Sequence, residues 1–154
     1  ANDGVGEELT LKTNEITRKP SDFLEGTYAA HGIEEVMDAG EVVIWIDPIE
    51  DQGAKFEEVL VKGVGMHIIA ISSRDTRFPT IKVPTVDGAE DLAGFVSMAA
   101  GWNVLVEVGL LLGVRPAFAP PCHLWPLAAP LRMRVTGPVR SRFRACGVRV
   151  SCAR

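Results

Sequence analysis

The chain has 154 residues, enough for one domain with a hydrophobic core and too few for two ordinary ones. Its composition, 47% apolar and 23% charged, is that of a globular protein, and no basic-then-apolar leader precedes it, so we expect a cytoplasmic protein. Charge is divided unevenly: the first 114 residues hold all 20 acidic and eight basic residues, a net charge of −12. The last 40 hold eight arginines and no acid, a net charge of +8.

The first half of the chain alternates predicted helices and strands. Residues 7–16 are predicted to form a helix that ends before Pro20, and a loop centred on Gly26 follows. A short helix is predicted for residues 31–37. Residues 41–47, rich in β-branched and aromatic side chains, predict a buried strand that Pro48 closes.

The same alternation continues to residue 113. We predict an amphipathic helix at 52–62, a buried strand at 66–72, a short strand at 81–83 and a long helix at 89–113, kinked or interrupted near Gly101. Residues 94–114 are apolar but include Ser97, Asn103 and Glu107, which favours a helix buried against the sheet over a membrane span. This order predicts an α/β fold with a parallel sheet flanked by helices. Because the chain starts at a helix, we expect the sheet to be truncated at its N-terminal edge.

The last 40 residues form a separate, Arg- and Pro-rich tail, so we divide the chain at residue 114. A nucleic-acid arm is disfavoured because the tail lacks Gly-Arg repeats and interleaved aromatic residues. A disordered tail is a second interpretation. We favour a third, a GC-rich coding sequence translated in a shifted frame. The tail's Cys122, Cys146 and Cys152 lack metal-ligand spacing, so we predict neither a metal nor a cofactor.

Four residues in the first 31 are candidates for chemistry. Glu8, Lys12 and Glu15 are spaced i, i+4 and i+7, which places them on one face of a helix. Spacing alone favours a solvated ion pair. His31, before Gly32, is equally consistent with a helix cap and with a packed core histidine.

The order of these residues resembles that of a known family. Residues 8–16 read ELTLKTNEI and are similar to the EGALKLKEI helix in the second sugar-isomerase (SIS) domain of the glutamine–fructose-6-phosphate aminotransferase family. In that family a His-Gly pair follows sixteen residues after the last glutamate of the helix, and here His31 and Gly32 stand at that distance from Glu15. The strands and helices up to residue 114 follow in the family's order. The resemblance implies a partial, three-layer SIS domain over residues 1–114.

The resemblance also implies roles for the four residues. Glu15 matches the glutamate that moves a proton between sugar C1 and C2. His31 matches the histidine that opens the sugar ring, which acts in the neighbouring subunit's site and so implies a homodimer. Lys12 and Glu8 match the polar partners that position this glutamate and balance its charge. Lys12 is counted in the catalytic group, and Glu8 supports it. The implied ligand is a phosphosugar, fructose-6-phosphate or an amino-sugar phosphate, and no nucleic acid or membrane is implied.

Some family features are missing. Residues 27–30 replace the family's Gly-Glu-x-Lys, Ile33 replaces a proline, and no lysine follows Lys82 to form a Schiff base with the sugar. Deamination or deglycation of an amino-sugar phosphate therefore stays open beside amination. A non-catalytic SIS module that binds a phosphosugar as a regulatory signal is a further alternative.

Ser72 and Ser73 follow a predicted strand, at the end of the sheet where α/β proteins bind ligands. Their hydroxyls are candidates for phosphate binding. A polar loop without function is the more common meaning of such a pair.

Overall fold

A computed structural model describes residues 2–85, 87–114 and 148–152 of the chain. The helices are α1 (Asp3–Lys12), α2 (Gly53–Phe56) and α3 (Ala93–Leu111). The first two continue into wider π-helical turns, at Thr13–Thr17 and Glu57–Val64. The strands are β1 (Ser21–Glu25), β2 (Val42–Ile46), β3 (His67–Ser72), β4 (Thr80–Lys82) and β5 (Val148–Cys152).

The five strands form one parallel sheet in the order β1-β5-β2-β3-β4. Val42 lies beside His67 of β3 on one side and beside Val148 of β5 on the other. Every residue of β2 is buried, as expected for a central strand with helices on both of its faces. The predicted parallel α/β architecture is confirmed at this level: a small parallel sheet flanked by helices.

Side chains of β2 alternate between two hydrophobic cores, one on each face of the sheet. On the first face Val43 and Trp45 pack with α2 and its π-helical extension, and Trp45 stacks on Phe56 with ring centroids 3.7 Å apart. On the second face Ile44 and Ile46 pack with residues of α1, α3 and β5. The first core also contains Ala29 and Ala30, so the loop that carries His31 lies on the first face.

α3 is one uninterrupted helix, so the predicted break near Gly101 is wrong. Gly101 marks a close approach instead, because a Cβ atom there would lie 2.4 Å from Cδ1 of Leu9 in α1. The missing side chain lets the two helices pack closely without bending α3. The face of α3 that contacts α1 is buried, whereas Phe95, Trp102 and Leu110 are exposed.

Other sequence predictions differ from the structure in detail. β1 occupies part of the region predicted as a loop, and β5 lies in the tail, where no strand was predicted. The short helix at 31–37 is in fact a pair of 3₁₀ turns, Tyr28–Ala30 and Ile33–Val36. The strands predicted at 41–47, 66–72 and 81–83 are confirmed as β2, β3 and β4. The interpretations of the tail concern mainly residues 115–147 and 153–154, which lie outside the described residues.

One helical stretch of the described chain, Glu90–Leu111, is long and apolar enough to cross a membrane by length and composition. Only a third of its most apolar window is buried. The prediction that this helix is buried against the sheet therefore holds for one face of the helix. The other face is apolar and exposed.

Candidate functional site

Glu15 lies on a π-helical segment that widens the end of α1. Two buried threonines support this segment: Thr13 Oγ1 donates to the Leu9 carbonyl and Thr17 Oγ1 to the Thr13 carbonyl, each at 2.7 Å. These bonds give both buried hydroxyls a partner, as buried polar groups require. π-helical turns inside helices occur frequently at functional sites. Here the wide turn sets the direction in which the exposed Glu15 projects.

Glu8, Lys12 and Glu15 meet on one face of this helix, as their spacing predicts. Lys12 Nζ lies 2.7 Å from Glu15 Oε2 and 3.8 Å from Glu8 Oε1. Glu15 keeps 52% of its side chain accessible to solvent. One cation thus holds two carboxylates, and the outer carboxylate remains accessible to a ligand.

The pKa of Lys12 is raised above its ordinary value. The largest cause is the hydrogen bond that Lys12 donates to Glu15, and the negative charges of Glu15 and Glu8 add to it. A raised pKa means that Lys12 is protonated at neutral pH, and that the stability contributed by the ion pair is lost only as the pH rises through the raised value. Lys12 can therefore position and charge-balance Glu15, but it is a poor nucleophile.

His31 lies elsewhere, on the other face of the sheet. It is exposed, and Lys55 Nζ lies 3.0 Å from its Nε2 atom and 3.3 Å from Nδ1. Within one chain, Glu15 and His31 therefore do not share a site.

Ser72 and Ser73 stand at the carboxyl edge of the sheet, in a polar network that sequence reasoning missed. Its anchor is Asp47, whose Oδ1 atom accepts from Arg74 Nη2 at 2.9 Å and from Ser72 Oγ at 3.3 Å. The Ser72 oxygen also accepts from the Arg74 backbone at 3.1 Å. One sequence feature could have indicated this network: Asp47, a residue type common in turns, stands directly after a buried strand and before Pro48.

The same edge borders a cleft of about 220 Å³. Three carboxylates line it, those of Asp47, Asp87 and Glu90, together with Ser72, Ser73 and the buried Ser97. The two cations beside this edge are already paired, Arg74 with Asp47 and Lys82 with Asp75. Hydroxyl-bearing ligands suit this lining better than a phosphate does, since the carboxylates would repel the phosphate. Phosphate binding by Ser72 and Ser73 stays a prediction.

Among residues 2–85, 87–114 and 148–152, no cluster of three or more His, Cys, Asp or Glu side chains could hold a metal ion. Cys122 and Cys146 lie outside these ranges.

Comparison with known proteins identifies no family for this chain. No family model matches the chain, and no curated protein matches it. Function is therefore inferred from the residues of the site and from their order along the chain.

Proposed function

We propose that this chain is the isomerase part of a phosphosugar enzyme, a partial SIS domain of the tandem-SIS type that acts on fructose-6-phosphate or an amino-sugar phosphate. The observation that carries the proposal is the Glu8–Lys12–Glu15 group, with Lys12 Nζ 2.7 Å from Glu15 Oε2 on a π-helical turn. The parallel α/β sheet flanked by helices is the architecture that the proposal requires.

In this proposal Glu15 transfers a proton between C1 and C2 of the open-chain sugar. A neighbouring carbonyl or imine acidifies the carbon–hydrogen bond, so that a carboxylate can remove the proton from one carbon and return it to the other. Lys12, whose pKa is raised, remains protonated throughout and holds Glu15 in place. Glu8 contacts the same ammonium group and helps to position it.

His31 supplies the ring-opening proton transfer, and it acts in a site of a second chain. The exposed imidazole of His31 is the group that transfers this proton in the proposal, and Lys55 lies beside it with Nζ 3.0 Å from Nε2. The separation of Glu15 and His31 on opposite faces of the sheet requires this second chain if both residues serve one substrate. A homodimer is thus part of the proposal.

A regulatory module that binds a phosphosugar without turnover is the alternative. It is favoured by the family features that this chain lacks, the Gly-Glu-x-Lys that residues 27–30 replace and a lysine after Lys82. Amination, deamination and deglycation all need the C1–C2 proton transfer. They are therefore variants of the first proposal.

The test is hydrogen exchange at C1 and C2 of fructose-6-phosphate and glucosamine-6-phosphate in D₂O, followed by NMR, with binding measured separately by calorimetry. Glu15→Gln is expected to lower the exchange rate by about 10²- to 10⁴-fold while binding persists. Glu7→Gln is the matched control, since Glu7 is an exposed carboxylate of the same helix outside the group, and it should exchange at the wild-type rate.

Three results would count against the proposal in different ways. Wild-type exchange in Glu15→Gln would exclude Glu15 as the base. Binding without exchange in the wild-type protein would favour the regulatory module. Absence of binding for both sugars would remove the phosphosugar assignment itself.

A further inference from the structure

The exposed side of α3, with the turn before it, carries a continuous apolar stripe. Its members recur at spacings of three or four residues: Leu92, Phe95, Ala99, Trp102, Val106 and Leu110. At about 100° per residue they fall within an arc of about 80°. Such a heptad-like seam is what a helix presents to another helix. No element of the described chain covers this seam.

The exposed area of the stripe is large enough for a protein–protein interface. Phe95 is 64% exposed and Trp102 is 40% exposed, and the six side chains together expose on the order of 600 Å². Pairing two such faces would bury about 1,200 Å², the lower bound for a specific protein–protein interface. Exposed apolar patches of this size on a folded domain mark interaction sites.

The stripe is complementary to itself when two copies run antiparallel. Aligned about a two-fold axis near residue 101, Ala99 faces Trp102 of the second copy, and Phe95 faces Val106. These two layers each combine a larger side chain with a smaller one, which is how facing helices fill the space between them. Trp102 lies near the centre of the interface, where binding energy concentrates.

Charge also favours the antiparallel arrangement. Glu107 is the one ionisable residue within α3 and borders the stripe. In a parallel pair the two copies of Glu107 would face each other, whereas in the antiparallel pair their axial separation is about 18 Å. The parallel pair would also stack tryptophan on tryptophan and leave a gap at Ala99.

We propose that α3 is a homodimer interface, in which two copies of this chain pack their stripes antiparallel about a two-fold axis between Ala99 and Trp102. The pairing uses residues outside the Glu8–Lys12–Glu15 group, and it does not depend on the proposed function. A two-fold, self-complementary contact is the commonest form of assembly in homo-oligomers.

The first experiment is sedimentation equilibrium of the full chain under reducing conditions over a range of concentrations. We expect a dimer, and Trp102→Glu should raise its dissociation constant at least about 30-fold, as loss of a central aromatic contact does. Tyr28→Glu is the matched control, because Tyr28 is 62% exposed outside α3, and this variant should remain dimeric. Far-UV circular dichroism establishes that both variants are folded.

A size swap tests the register without adding charge. Ala99→Trp alone places two tryptophans in one layer, and Trp102→Ala alone leaves a cavity, so each should weaken the dimer. The double variant Ala99→Trp/Trp102→Ala restores one large and one small residue per layer and should recover most of the wild-type affinity. Failure of the double variant to recover would overturn the antiparallel register.

Two further outcomes would overturn the interface itself. A wild-type chain that stays monomeric at all concentrations, or a dimer that Trp102→Glu leaves intact, excludes pairing through α3. A lipid surface is the other partner suited to such a face, and flotation with phosphatidylcholine vesicles tests it. A monomer that binds the vesicles through Trp102 would show that the stripe binds lipid and not a second chain.

Discussion

Gly101 is the position at which α1 and α3 come closest, and its side-chain hydrogen is part of the core. We expect Gly101→Ala to lower the free energy of unfolding by about 1–3 kcal/mol, because the added methyl group overlaps the fully buried Leu9, which has no free space to move into. This loss opposes the gain in helix propensity, about 1 kcal/mol, that alanine normally brings. Urea unfolding monitored by circular dichroism measures the difference.

Gly94→Ala separates packing from propensity. A Cβ atom at Gly94 would lie 3.4 Å from Val5, an ordinary contact, in the same pair of helices. This variant should unfold within about 1 kcal/mol of the wild type, or be more stable. Equal destabilisation by both alanines would show that the contact with Leu9 does not determine the role of Gly101.

At the scale of single residues, the candidate site could be predicted in part from the sequence. Spacing of i, i+4 and i+7 placed Glu8, Lys12 and Glu15 together, because a helical turn fixes which side chains are neighbours. The same reasoning could not place His31 relative to Glu15. That relation depends on which face of the sheet a connecting loop crosses, and local periodicity carries no information about it.

The π-helical segment after α1 is the element that the site depends on. We expect Thr17→Val to lower the free energy of unfolding by about 1–3 kcal/mol, because the buried Thr17 hydroxyl donates to the Thr13 carbonyl and accepts from the Lys19 backbone. Valine has the same shape but makes neither bond. Thermal and urea unfolding measure the loss.

Thr10→Val is the control for this segment. Thr10 Oγ1 also donates to a carbonyl four residues earlier, that of Gly6 at 2.9 Å, but it lies in the regular turns of α1 and is only partly buried. We expect its loss to cost less than about 1 kcal/mol. A larger cost at Thr10 than at Thr17 would contradict a special role for the wide turn.

Three of the five strands were predictable, and the other two were not, for different physical reasons. β2 and β3 are largely apolar and buried, which leaves a continuous signal in the sequence. β4 is an edge strand with no buried residue, and it is marked by β-branched Thr80 and Ile81. β1 reads SDFLE, and a half-buried edge strand with two acids has the composition of a loop. β5 follows a tail of arginines and prolines, and it becomes a strand only through its two neighbours in the sheet.

At the scale of the whole molecule, a site divided between two chains predicts that a mixture of two inactive variants regains activity. Glu15→Gln and His31→Ala should each be nearly inactive in the D₂O exchange assay, yet their co-expressed mixture should recover about a quarter of the wild-type rate. Half of the dimers are then mixed, and one of the two sites in each mixed dimer is intact. Purification through two different tags enriches the mixed dimer.

The control replaces one parent by the double variant. Glu15→Gln co-expressed with Glu15→Gln/His31→Ala has no intact site in any combination and should stay inactive. Recovery in that control, or its absence in the first mixture, would contradict a site assembled from two chains.

The position of β5 also governs the order in which the protein can be made. Ser21 of β1 pairs with Val148, and so does Val42 of β2, so β5 is the only link between β1 and the rest of the sheet. On the ribosome, β1 and the β2–β4 unit emerge long before β5, and each presents an unpaired strand edge until then. The sheet cannot close before residues 148–152 have been translated. Throughout that interval the nascent chain offers two open edges to any other strand it meets.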